Sequence, residues 1–145
     1  MDMPHDALVL ICDSQKAFLM RNAGDEQYPN LQVLEAREQD NPPTHAQGSD
    51  RPGRLNDPFG HKSAVENTDW HRQAADRFVR AVVEDFRARL RREAANALIL
   101  VAPAHVMGVL RQALGAPLRR IVQAEIVKDL VHHTPPEIEK ILKAA

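Results

Sequence analysis

Residues 98–114 read LILVAPAHVMGVLRQAL, and this stretch decides the fold. Leu98 to Val101 is a short apolar run of the kind that forms a buried strand. Pro103 breaks it. An amphipathic helix follows at once, with Val106, Val109, Leu110 and Ala113 spaced to share one face. A strand that turns directly into a helix is half of an α/β unit. Open α/β sheets bind ligands just beyond the carboxyl ends of their strands. The turn Ala102-Pro103-Ala104-His105 is therefore the first place to look for a site.

Working outward, residues 68–92 carry Ala74, Ala75, Phe78, Val79, Val82, Val83, Phe86 and Leu90 at three- and four-residue spacing, which predicts a long amphipathic helix. Asp69 would sit in its first turn, and Arg87, Arg89, Arg91 and Arg92 near its end, as the helix dipole favours. Those arginines alternate with Glu84, Asp85 and Glu93, the pattern of a solvated helix face. After the opening stretch, Gly115 and Pro117 are stop signals for its helix. RRIVQAEIV (119–127) predicts a fifth strand, closed by Lys128-Asp129-Leu130. Thr134-Pro135-Pro136-Glu137 has the hydroxyl, prolines and glutamate of a helix start. Ile138, Ile141 and Leu142 would face inward on that last helix.

Before the long helix, ALVLIC (7–12), KAFLMR (16–21) and LQVLEARE (31–38) read as three strands. Their links are short, so they form an antiparallel meander, since parallel pairs need a long crossover. Residues 39–66 hold four prolines and three glycines and few large apolar groups, and predict a long loop. The element order is β-β-β-α-β-α-β-α within one domain spanning residues 1–145. It predicts an α/β fold, a mixed sheet with helices on its faces, in the strand order of ribonuclease-H-like folds.

The bulk numbers exclude several classes. The formal net charge is −1 on 145 residues, which gives no bulk attraction to nucleic acid or anionic membrane, and sequence-specific DNA binding is not expected. Aromatic residues are 4%, too few for base-stacking platforms. No run approaches the ~18 apolar residues of a membrane span, and MDMPHDALVL has acids where a signal peptide needs positive charge. The single cysteine, Cys12, allows no internal disulfide, and a reducing cytoplasmic setting fits.

Few residues stand out as carriers of chemistry. Asp13, at the end of the first strand, is placed as metal-dependent nucleases place an acid, but the LILVAP strand brings none to meet it, and capping a turn is the role its position favours. Asp129 is the other acid beside a strand end. The seven histidines show no tight ligand spacing, so no metal site is expected. There is no GxGxxG, P-loop or GxSxG motif, and no cofactor is expected. In GSDRPGR (48–54), Asp50 can bond nearby amides, while Pro52-Gly53 would hold Arg51 and Arg54 outward as an anion clamp, or the three can simply pair with one another. His105 opens its helix, where the positive end disfavours protonation. Arg111 lies six residues on, about one and two-thirds turns. It therefore faces away from His105, with Asp129 or a loop acid as its expected partner.

Together, Asp13 with Lys16-Ala17-Phe18, the segment SDRPGR, the helix with Phe78, LILVAPAHVMGVLRQAL, and Val127-Lys128-Asp129-Leu130 resemble the bacterial host-attachment protein family. The resemblance covers nearly the whole chain. It implies a fold similar to the middle domain of eukaryotic peptide-chain release factors, itself ribonuclease-H-like. Members of the family carry a proline and an arginine where this chain has Ala104 and His105. The release-factor relatives use a Gly-Gly-Gln tripeptide, which does not occur here. The expected function is a cytoplasmic, non-enzymatic binding or adaptor protein that recognises its partner through the long loop and the Pro103 turn. Asp13, Asp50, Arg51, Arg54, His105, Arg111 and Asp129 are the candidate contacts. The partner would be a protein or a ribosomal component, with a second copy of the chain also open. The alternatives are a translation-linked factor contacting the ribosome through Arg51 and Arg54, and a metal-dependent hydrolase or nuclease built on Asp13.

Overall fold

In a computed structural model, the structure describes residues 1–39, 60–93 and 97–145. The elements are β1 (Leu8–Cys12), β2 (Lys16–Asn22), β3 (Leu31–Glu38), α1 (Gly60–Glu93), β4 (Leu98–Ala102), α2 (Ala104–Arg119), β5 (Val122–Val127) and α3 (Pro135–Ala144). One five-stranded sheet has the order β3-β2-β1-β4-β5. β1, β2 and β3 pair antiparallel as a meander, and β4 and β5 join β1 in parallel. The expected α/β class and element order are both observed.

The continuous apolar runs are explained by burial on two faces. In β1 and β4 every residue is buried, and alternate side chains serve different cores. Leu8, Leu10, Leu98 and Leu100 face α1 and α2, meeting Phe78, Val82, Phe86, Leu110 and Leu114. Val9, Ile11, Ile99 and Val101 face the other way, against Leu130, Ile138 and Leu142 of the α3 side and against Met3.

Three boundaries differ from the expectation. The long helix begins at Gly60, not Thr68, so residues 60–66 of the expected loop are helical. The sequence of that leading part, GHKSAVEN, holds few large apolar residues, so no periodic pattern marks it. Asp69 is consequently well inside the helix, and the first turn holds no acid. At the other end of the fold, Gly115 does break α2, at φ 80° and ψ 168°. The chain then makes one more helical turn through Pro117 to Arg119, which delays β5 to Val122. In β3, the pairing register shifts opposite Leu19 and Met20, leaving Leu34 as the extra residue. Before the bulge, Leu31 and Val33 share one face, but Leu31 is buried beside α3, where its amide donates to Glu139, and Val33 is exposed.

Helix α3 starts as its sequence predicts. The Thr134 hydroxyl accepts from the Glu137 amide, and the Glu137 carboxylate accepts from the Thr134 amide. Replacing Thr134 by alanine is expected to cost about 1 kcal/mol, read as a lower urea midpoint at unchanged slope.

Among the described residues, Asn22 is the one buried polar side chain. Its amide nitrogen donates to the Met3 and Pro4 carbonyls at 2.9 and 3.2 Å, with a longer contact to Asp25. Its oxygen accepts from the amides of Gly24 and Asn30 at 3.0 and 2.9 Å. One side chain thus ties the N-terminal segment to the β2–β3 connection. Gly24 is required there, since a Cβ would lie 2.1 Å from the Tyr28 carbonyl oxygen.

Candidate functional site

Register aligns the ends of the parallel strands. Ile11 pairs with Val101, and Ala102 with Val127, so Asp13, Pro103 and Lys128 leave the sheet along one edge. β3 also ends there, where the Gln39 amide donates to the Gln15 carbonyl. α1 comes down from that edge and α2 starts at it.

Asp13 turns the chain from β1 into β2. Its Oδ1 accepts from the amides of Gln15 and Lys16, both at 2.7 Å, which is an aspartate-capped turn. The side chain is only 16% exposed, and Oδ2 lies 4.0 Å from Nε2 of His132. Cys12 precedes it in the strand. Burial foremost, and the Asp13 charge after it, push the Cys12 thiol up to about 12, so it stays protonated and unreactive at neutral pH.

His132 belongs to the turn between β5 and α3. Leu130 and Val131 pin that turn by burying their side chains, and the His133 amide donates to the Leu130 carbonyl. The His132 ring stands largely in solvent, and Asp129 is exposed beside it. His105 is the second residue of α2. Its Nε2 lies 2.7 Å from Oδ1 of Asp76 on α1, a contact that clips the two helices together. The Asp76 carboxylate also sits near an α2 N-terminus that has no side-chain cap, where negative charge is favourable.

Arg111 faces elsewhere. Its Nε and Nη2 grip the Glu125 carboxylate of β5 at 2.6–3.0 Å, so its partner is Glu125 rather than Asp129 or a loop acid. Arg111 on α2 stands over the parallel neighbour β5, whereas Asp129 has already left the sheet. The Arg111 hydrogen bonds, then the charges of Arg111 and Arg119, hold the Glu125 carboxyl below its usual range. A depressed carboxylate contributes its stability above the unfolded-state value of ~4.3 and loses it as pH falls through the folded-state value. The urea midpoints of the native chain and the Glu125→Gln variant should therefore converge as pH falls below the unfolded-state value of ~4.3.

The structure thus brings Asp13 to one edge with Pro103, His105 and Asp129, and leaves Arg111 on the flank. Among the described residues no hydrogen bond joins the Asp13–His132 contact to the His105–Asp76 contact. Nor does any group of three or more histidine, cysteine, aspartate or glutamate side chains gather as a metal site there. Asp50, Arg51 and Arg54 lie outside the described residues.

Residues 8–142 match the family described as protein required for attachment to host cells. The chain belongs to that family. The match runs from the first residue of β1 to Leu142, the last buried residue of α3, and so takes in the whole described sheet, α1, α2 and α3 up to Leu142. No match was found among curated proteins. Within this host-attachment fold, sequence reasoning missed Asp76, Glu125 and His132 as partners. Each is an ordinary exposed-face residue in its own element, and its role exists only across elements. The one usable signal was the helix start at His105, whose uncapped first turn calls for a carboxylate nearby.

Proposed function

We propose that this host-attachment chain works as a non-enzymatic binding or adaptor protein in the cytoplasm. On this reading it takes a protein partner at the edge formed by Asp13, the Pro103 turn, His105 and Asp129. The observation that carries the reading is the state of Asp13. Its near-buried carboxylate already spends one oxygen on two backbone amides, so it serves as a turn acceptor rather than a free base or ligand. Around it the exposed groups are mixed. His132 and Asp129 are polar, and Val127 exposes 55% of its surface. Such a surface suits contact with another protein better than enclosure of a small substrate. The lone buried thiol of Cys12 fits a reducing compartment. Asp50, Arg51 and Arg54 follow β3 in the chain, and β3 ends at this same edge, so they are proposed as further contacts.

A photo-crosslinking residue placed at Val127 or His132 tests the reading in attachment-competent cells, with Gln27 at the opposite sheet edge as the control. Adducts are expected from Val127 and His132 and not from Gln27. An adduct of twice the chain's mass would identify a second copy as the partner. Adducts only from Gln27, or none from the proposed edge, would overturn the assignment.

A further inference from the structure

We propose that the cleft between the C-terminal ends of α1 and α2 docks a short acidic peptide segment of a partner protein, with one apolar side chain of that segment entering the cleft. This site lies at the opposite edge of the sheet from the Asp13 turn and stands independently of the function proposed there.

α1 ends just before β4 begins, and α2 just before β5 begins, so both helices deliver their C-termini to one edge. The Gly115 break in α2 sets its last turn apart from the helix above it. Between that turn and α1 lies a cleft of about 340 Å³, open on one side. Ala113, Pro117, Leu118 and Ile121 supply its apolar lining over the buried Leu90 and Leu114, and Arg87 and Arg91 its rim.

The two rim arginines differ in what they hold. Arg87 is committed, donating to the carbonyls of Ala113 and Leu114 at 2.8 and 3.2 Å and pairing with Glu84. It caps the carbonyls that the Gly115 break leaves open. Arg91 is exposed and makes no ion pair with another described residue, and the same holds for Arg92 beside it and Arg120 past the end of α2. Glu93, the nearest acid in sequence, is engaged by Arg89. Helix C-termini attract cations, but each carries only about half a negative charge. Three arginines with no ion-pair partner among the described residues exceed what two such ends account for.

An apolar lining with the Arg91 guanidinium on its rim, and Arg92 and Arg120 next in the chain to lining residues, matches carboxylates flanking an apolar side chain. It does not match nucleic acid, because no aromatic side chain lines the cleft to stack a base. The volume lies near the lower end of the roughly 300–1,000 Å³ of small-molecule sites, and the open side would leave such a molecule half in solvent. One large side chain on a longer segment fits it better.

Fluorescence anisotropy of the full chain with a labelled peptide of alternating glutamate and leucine tests the proposal, alongside a labelled oligouridine. The peptide should bind saturably. The double variant Arg91→Ala, Arg92→Ala should weaken it about tenfold, a value in the range for lost charge-assisted contacts. Ala113→Met, which fills the cleft without touching its charge, should weaken it about as much. Arg72→Ala, far up α1, should change nothing. If Ala113→Met fails to fold, methyl chemical shifts of Leu90, Leu118 and Ile121 in the native chain decide, and they should move on peptide addition. The proposal is overturned if the oligouridine binds more tightly than the peptide, if the filled cleft binds as well as the open one, if those methyls stay still, or if the peptide does not bind by about 1 mM.

Discussion

Asn22→Leu is expected to destabilise the fold by about 4 kcal/mol, since each buried polar group left unpaired costs roughly 1–3 kcal/mol. Leucine has the branching and heavy-atom count of asparagine but carries methyls in place of the polar atoms, so the hydrogen bonds are lost and nothing replaces them. The substitution strands the carbonyl of Met3 and the amides of Gly24 and Asn30, which bond to the Asn22 side chain, while the Pro4 carbonyl keeps its bond from the Ala7 amide. Asn22 is fully buried, so water does not replace those bonds without opening the fold. Met3 seals the second core from the same segment, and its release would expose Val9 and Ile99 behind it. Asn22→Asp separates the two halves of the effect. The carboxylate keeps the acceptor for Gly24 and Asn30 but sets negative charge against two carbonyl oxygens. Urea unfolding at neutral pH reads both variants, and each should lower the midpoint, leucine at least as far as aspartate.

Leu100→Ala is expected to cost about 3–4 kcal/mol, within the 2–5 kcal/mol found for truncating a fully buried leucine. Leu100 is at the centre of β4, between Leu10 on β1 and Glu125 on β5 in the sheet register. It lies in the core beneath α1 and α2, where it has no exposed surface. The strands on both sides hold the backbone in place, so the cavity cannot collapse. Leu34→Ala in β3 is the comparison. That side chain is half-buried at the bulge on an edge strand, and its loss should be well under half as large. Equal losses at the two positions would mean that the β1–β4 pair is not the structural centre.

The strongest signals in the chain were those that a single element carries by itself. LILVAP and ALVLIC are apolar throughout because both faces of their strands are covered, and so they announce a sheet between two helix layers. TPPE announces its helix because the cap is closed by residues three apart. The start of α1 was hidden for the opposite reason: its first turns hold few large apolar residues from which a periodic pattern could be read. The bulge at Leu34 shifts the alternation of β3 by one residue from there on, which blurs its pattern.

The candidate site was legible only as a location. Strand ends and the Pro103 turn can be placed from the order of elements, and Asp13 as a turn-capping acid follows from the Asp-Ser-Gln that ends β1. Which groups meet cannot be placed in that way. The His105–Asp76 and Arg111–Glu125 pairs depend on how α2 lies against α1 and β5, a matter of packing angle that no local pattern encodes. Five hydrogen bonds converge on Asn22, and all five partners are backbone groups set by the tertiary fold or by loop geometry, so no local pattern announces them.

The central claim is that Asp13 shapes a binding edge and performs no chemistry, and Asp13→Asn tests it most directly. Asparagine keeps an oxygen to accept from Gln15 and Lys16 but can neither take up a proton as a base nor hold a divalent ion as a carboxylate does. The variant, expressed in cells that lack the native gene, is compared with the native chain for attachment to host cells, and the two purified chains for their urea midpoints. The account predicts stability within about 0.5 kcal/mol of native and attachment at the native level. A native midpoint with attachment reduced to that of cells lacking the gene would contradict it.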